Sequence, residues 1–115
     1  MREVLILDDE IIAAMGLKSE IEKSGEFTIL LAANIDEALA LYRTHSPEIG
    51  IIDINLNEEN TGIDFVKTVN GMEKVIFLSG YSEALYLEDL KNISYDLFLE
   101  KPIDTNVLLA HLMSK

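Results

Sequence analysis

Four short apolar runs of this chain each end in side chains able to do chemistry. Val4-Leu5-Ile6-Leu7 leads into Asp8-Asp9-Glu10, Ile49 to Ile52 into Asp53, Val75 to Leu78 into Ser79, and Phe98-Leu99 into Glu100-Lys101-Pro102. If Asp8, Asp9 and Asp53 share one crevice, their charges conflict. Two unit charges ~4 Å apart repel by about 4 kcal/mol at an effective dielectric near 20, so the groups would take up protons or splay apart. A hard divalent cation removes the conflict. A few oxygen ligands suit Mg²⁺, which keeps several waters and leaves room for phosphate oxygens. Lys101 adds a second positive charge for the same phosphate, and the Ser79 hydroxyl can donate to one of its oxygens. An aspartate beside such a metal and a lysine is a nucleophile toward phosphorus, giving an aspartyl phosphate. The metal would spread the charge of the transferred group, and the site would act mainly by positioning.

These groups need elements that carry them to one place. Apolar runs at Val4–Leu7, Phe27–Ala33, Ile49–Ile54, Val75–Leu78 and Asp96–Leu99 alternate with stretches of helical length. The runs around Leu5, Ile51 and Ile76 are apolar at consecutive positions, the pattern of parallel strands covered on both faces. Ala14, Leu17 and Ile21 mark the face of a first helix, with Gly25 as its stop. Ile35, Ala38, Leu39 and Tyr42 mark a second, capped by Asn34 or Asp36. Phe65, Val66 and Val69 mark a third, ending near Gly71. Tyr86, Leu90 and Ile93 mark a fourth after Ser82, and Val107, Leu108 and Leu112 a fifth after Asp104. The βα alternation predicts an α/β fold, a single parallel five-stranded sheet with helices on both faces and right-handed crossovers. In a doubly wound sheet ligands sit beyond the carboxyl ends of the strands. All the reactive groups fall at that edge.

Composition narrows the function classes. The 115 residues make one domain, 1–115, and at 49% hydrophobic they can build a core unaided. There is no cysteine, hence no thiol nucleophile and no need of an oxidising compartment. A formal net charge of −12 repels nucleic-acid phosphates, so no direct nucleic-acid contact is expected. The apolar run before Asp8 is too short for a signal peptide or membrane span. The chain therefore reads as soluble and cytoplasmic, with no membrane contact.

In order and spacing these pieces resemble the receiver domains of two-component response regulators, the chemotaxis regulators among them. The matching segments are Val4 to Glu10, Pro47 to Leu56, Phe77-Leu78-Ser79-Gly80 and Phe98 to Pro102, so the likeness runs over nearly the whole chain. It implies a flavodoxin-like (βα)5 three-layer sandwich with strand order 2-1-3-4-5. It implies that Asp53 accepts a phosphoryl group from a phosphohistidine of a sensor histidine kinase or histidine phosphotransfer protein. Asp8 and Asp9 would hold Mg²⁺ with Asp53, and the backbone carbonyl of Asn55 would complete the coordination. Ser79 and Lys101 would contact the phosphoryl group, Phe98 would be the aromatic switch, and the Lys101-Pro102 bond would be cis. Such a domain is a signalling module that catalyses only its own phosphorylation and slow dephosphorylation. Three features depart from the commonest pattern. Asn57 stands where proline often follows the acceptor strand, Gly62 comes one residue late, and Gly80 replaces the usual alanine. No output domain is expected after the fifth helix, so the downstream target is unnamed.

Other readings have their own sequence marks. A haloacid-dehalogenase-like phosphohydrolase would want a second acid where Asn55 stands, and a late acidic pair. A flavodoxin-like electron carrier would want a neutral phosphate loop in place of Asp8-Asp9-Glu10. A receiver-like interaction module that takes no phosphate shares all the features except the chemistry. His45 and His111 read as ordinary surface or partly buried residues. In the fourth helix Leu85 and Leu87 flank the core face; a wide buried stripe is the first expectation, and a partner-binding surface the alternative. A homodimer through the helix 4 to helix 5 face is one such use.

Overall fold

In the computed structural model, which describes residues 2–114, five strands and five helices alternate along the chain. The strands are β1 (Arg2–Leu7), β2 (Phe27–Ala32), β3 (Ile49–Asp53), β4 (Lys74–Ser79) and β5 (Leu97–Glu100). They form one sheet in the order β2-β1-β3-β4-β5, and every pairing is parallel. The helices are α1 (Ile11–Glu22), α2 (Ile35–His45), α3 (Gly62–Val69), α4 (Leu87–Leu90) and α5 (Thr105–Met113). The strand order and the flavodoxin-like layering agree with the sequence expectation.

Side-chain alternation along the strands divides the core in two. Val4, Ile6, Ile49, Ile51, Ile76 and Leu78 pack with Ala14, Ile21, Leu108 and Leu112, under α1 and α5. Their neighbours Leu5, Leu7, Ile52, Val75 and Phe77 pack on the other face with Ala38, Phe65, Val66 and Leu90. Each fully buried residue of this size contributes about 1.5–3 kcal/mol. That is why the central strands are apolar at consecutive positions.

Local chemistry ends the helices. Asn34 caps α2 by accepting from the Glu37 amide, and Glu37 returns the bond to the Ala33 N–H. Thr61 and Asp64 form a capping box on α3, and Asp104 caps α5. Gly25 takes the left-handed conformation after α1, φ +76°. The helix α3 ends at Val69, near Gly71 as the sequence predicts. Asn70, not Gly71, is the left-handed cap, φ +43°, as asparagine tolerates. Gly71 is small for another reason: a Cβ there would stand 2.2 Å from the Tyr42 hydroxyl.

The fourth helix departs most. It is a 3₁₀ turn over Glu83–Tyr86 followed by one α turn, Leu87–Leu90. Tyr86, at φ −110° and ψ 9°, interrupts helical geometry at the junction. Leu90 is buried and Tyr86 and Ile93 are partly buried against the core, as the periodicity predicts. Strand β5 begins at Leu97 rather than Asp96, whose carboxylate accepts from the Val75 N–H at 2.8 Å. Among the described residues no helix is long and apolar enough to cross a membrane.

Candidate functional site

The strand ends converge as their parallel register requires. β3 ends in Asp53, paired across from Leu78, and β4 ends in Ser79, paired with Glu100. β1 stops at Leu7, and the Asp8 N–H still bonds to Ala32 of β2, so Asp8 leaves the sheet at the same level. Among the described residues, the buried polar side chains are Asp8, Asp53 and Ser79. Buried carboxylates are costly without partners, and the partners are present.

Lys101 is the principal one. Its ammonium donates to Asp53 Oδ2 at 2.9 Å and to Glu10 Oε1 at 3.0 Å, and lies 3.8 Å from Asp8 Oδ2. Burial alone would lower the lysine pKa. The bonds to Asp53 and Glu10, with the charges of Asp53 and Asp8, outweigh burial and raise it, so the ammonium stays charged. Lys101 precedes a cis bond to Pro102, as expected from the resemblance. Asp53 Oδ1 accepts from the Asn55 N–H at 2.9 Å, and Asp8 Oδ1 from the Glu10 N–H at 2.9 Å. Burial still dominates at Asp8. It pushes the carboxyl up from 3.8 to about 6, and the nearby Asp53 charge adds to the rise against the Glu10 N–H and Lys101.

The carboxylates that meet are not quite those the sequence suggested. Among the described residues, Asp8, Glu10 and Asp53 bring ligand oxygens within 4.8 Å of one another. Asp9 is outside this group, and its carboxylate accepts from the Asn57 N–H at 3.0 Å. All donors are hard oxygens of like charge, two of them buried, which is the chemistry Mg²⁺ selects. The residues therefore fit such an ion. Glu10 was visible as part of the acidic run, but nothing in its type or spacing distinguished it from a solvated first-turn residue.

Asn55, Ser79, Tyr86 and Phe98 form a second, neutral group. The Ser79 hydroxyl donates to Asn55 Oδ1 at 2.7 Å, and Asn55 Nδ2 donates to the Tyr86 hydroxyl at 2.7 Å. The Tyr86 and Phe98 rings lie 6.2 Å apart and tilted by 37°. Periodicity marks Tyr86 only as a core position; the bond of its hydroxyl to Asn55, in the loop after β3, has no sequence signal. Phe98 is half-buried at the middle of short β5.

The loop between Asp53 and α3 is the longer one expected from the late Gly62, and it is tied at several points. Asp9 holds Asn57, and Glu58 Oε2 accepts from the Ile35 N–H at the start of α2, 3.2 Å. The Gly62 N–H reaches the Ile54 carbonyl at 3.2 Å.

Comparison with known proteins agrees with this geometry. The family model of the response regulator receiver domain matches residues 4–113. An uncharacterized response regulatory protein of Staphylococcus epidermidis is 36% identical over 117 residues, covering 98% of this chain and 45% of the relative. The chain thus spans about half the length of that relative. The chemotaxis protein CheY of Thermotoga maritima is 34% identical over 115 residues, covering 96% of this chain and 94% of that one. The solved structure of Vibrio cholerae CheY4 superposes with a TM-score of 0.84 at 26% identity, covering 97% and 96% of the two chains. With its fold, strand-end residues and family match in accord, the chain belongs to the response regulator receiver domains of two-component systems.

Proposed function

We propose that Asp53 is the phosphoacceptor of this receiver domain and takes its phosphoryl group from a phosphohistidine of a sensor kinase or phosphotransfer protein. The observation that carries this reading is the buried Asp53 carboxylate, 1% exposed, held 2.9 Å from the Lys101 ammonium at the strand edge. An Asp53 oxygen attacks phosphorus while the P–N bond of the donor breaks, and the bonding pair leaves with the imidazole nitrogen. Lys101 orients the acceptor beforehand and meets the charge of the incoming oxygens.

Asp8, Asp9 and Asp53, with the Asn55 backbone carbonyl, are the proposed Mg²⁺ ligands. Glu10 is close enough to join them. When bound, the ion supplies charge neutralisation for the carboxylates and the transferred group. Ser79 is the hydroxyl proposed to grip the phosphoryl group, and Phe98 the ring that responds.

The surface that would change is the α4–β5–α5 side. Leu85 in the 3₁₀ turn, Leu87 in α4 and Val107 in α5 are exposed at 64%, 61% and 45%. Exposed apolar side chains in one region suit a partner or a second copy of the chain. A cytoplasmic setting follows from the proposed donors.

A small phosphodonor with Mg²⁺, followed by intact mass, tests the central claim. The wild type should gain one phosphoryl mass in hydroxylamine-labile form, and Asp53→Asn should gain none. Unchanged labelling of Asp53→Asn removes Asp53 from its role. Absence of labelling in the wild type would favour an interaction module that takes no phosphate.

A further inference from the structure

The Ser79 hydroxyl carries a single proton, and in this structure that proton is engaged. Asn55 Oδ1 lies 2.7 Å from Ser79 Oγ and the Tyr86 hydroxyl 3.4 Å, so the shorter contact takes it. The orientation of the Asn55 amide is fixed by one donor-only neighbour. The Gly80 N–H, which can only donate, lies 3.1 Å from Oδ1, so the oxygen must face it. The amide nitrogen then faces Tyr86, to which it donates at 2.7 Å. Turning the amide over would set its NH₂ against the Gly80 N–H, losing that bond, and would leave the Ser79 hydroxyl accepting rather than donating. Ser79 is fully buried, so water does not replace what Asn55 supplies. The ring of Tyr86 meanwhile rests against Phe98.

We infer that Tyr86 is a positioning residue of the switch: its hydroxyl anchors the Asn55 amide so that the Ser79 proton stays on Asn55 Oδ1 until a phosphoryl group competes for it. This rests on the proposal that Asp53 is phosphorylated and Ser79 answers. It adds a lock on the resting state and places that lock on the short 3₁₀ segment. A phosphoryl oxygen must take the Ser79 proton from an acceptor that Tyr86 and Gly80 have already oriented. Movement of Phe98 would remove the contact that backs the Tyr86 ring, and with it the aim of the hydroxyl. Helical geometry is interrupted at Tyr86, whose hydroxyl meets Asn55 in the loop after β3.

The test uses beryllium trifluoride with Mg²⁺ as the phosphoryl mimic, titrated into the full chain and followed by NMR. Tyr86→Phe keeps the ring on Phe98 and removes only the hydroxyl. Deleting one neutral hydrogen bond of the resting state should lower the midpoint of the Phe98 response about two- to tenfold. In a Ser79→Ala background there is no hydroxyl to hold, and Tyr86→Phe should then leave the midpoint unchanged. Equal midpoints for wild type and Tyr86→Phe would overturn the lock, and so would the same shift in both backgrounds, since that is a packing effect. A second readout needs no variant: the Asn55 side-chain NH₂ signals of the wild type should move as the mimic binds. Static Asn55 signals alongside a moving Phe98 would also overturn it. A wild type in which the mimic perturbs nothing overturns the reading of Asp53 itself, and the lock with it.

Discussion

Gly62 opens α3 against the end of β3 so closely that a Cβ on it would stand 2.2 Å from the Asp53 carbonyl oxygen. The same methyl would stand 2.7 Å from the Ile52 side chain. The first helical position after the extended loop is thus packed directly on the backbone of the proposed acceptor. In an exposed helix, glycine to alanine stabilises by roughly 1 kcal/mol. Here the sign should reverse, because backbone cannot give way as a flexible side chain can. Gly62→Ala should cost roughly 1–3 kcal/mol in urea unfolding and shift the amide resonances of Asp53 and Ile54. A neutral or stabilising effect would mean that α3 can lift off β3 freely.

Asp8 should make metal-free stability depend on pH. Its carboxyl, raised mainly by burial, titrates near about 6 in the fold against 3.8 without it. Between those values the folded state keeps a proton that the unfolded chain has lost. Stability should therefore fall as pH rises through that window and remain lower above it. Asp8→Asn cannot ionise, so it should exceed the wild type in metal-free stability at about pH 8. That difference should close as pH falls toward 3.8. Mg²⁺ favours the carboxylate, so its stabilising effect on the wild type should grow over the same rise in pH. Melting curves with and without Mg²⁺ across that range check both statements; parallel curves for the two proteins would contradict them.

Lys101 pairs with Asp53, and the proposed metal ion would neutralise the same carboxylate, so their effects should overlap. Saturating Mg²⁺ at a hundredfold excess over Kd should stabilise the wild type by about 2.7 kcal/mol. Lys101→Met leaves the buried Asp53 and Asp8 without their ammonium partner. Removing one member of a fully buried pair costs about 3–5 kcal/mol, and the expected loss is smaller because the Lys101 side chain is 25% exposed. Mg²⁺ should restore more stability to Lys101→Met than it adds to the wild type. Equal metal increments would show that the two cations act independently.

Asp9 joins the site to the loop through the Asn57 N–H. Asp9→Ala should weaken the Mg²⁺ response and also release the loop, at a cost of roughly 1.5–3 kcal/mol for a bond to a charged acceptor, less where solvent replaces it. Hydrogen exchange at Asn57 should quicken in Asp9→Ala without Mg²⁺. Protection unchanged at Asn57 would mean that the loop is held by its other ties, Glu58 to Ile35 and Gly62 to Ile54.

Much of this architecture is legible in the chain, for a physical reason. A central parallel strand is buried on both faces, so Val4–Leu7, Ile49–Ile52 and Val75–Leu78 must be apolar throughout, and the first polar residue after each marks the sheet edge. Asp8, Asp53, Ser79 and Lys101 could therefore be assigned to one edge from composition and order alone. The helix caps at Asn34 and Asp104 are similarly local, because a cap is a bond between near neighbours in sequence.

What the sequence left open involves partners distant along the chain, chosen by packing. That Glu10 rather than Asp9 turns its carboxylate toward Asp8 and Asp53 depends on how α1 leaves β1, and both residues are equally acidic. That Asn70 takes the left-handed cap while Gly71 makes room for Tyr42 depends on where α2 lies. The interruption at Tyr86 and its bond to Asn55, 31 residues away, arise only when β3, β4 and the fourth helical segment are assembled. Periodicity reports which side of an element is buried. A hydrogen bond across elements also needs the relative placement of two backbones, and that is decided by the tertiary structure.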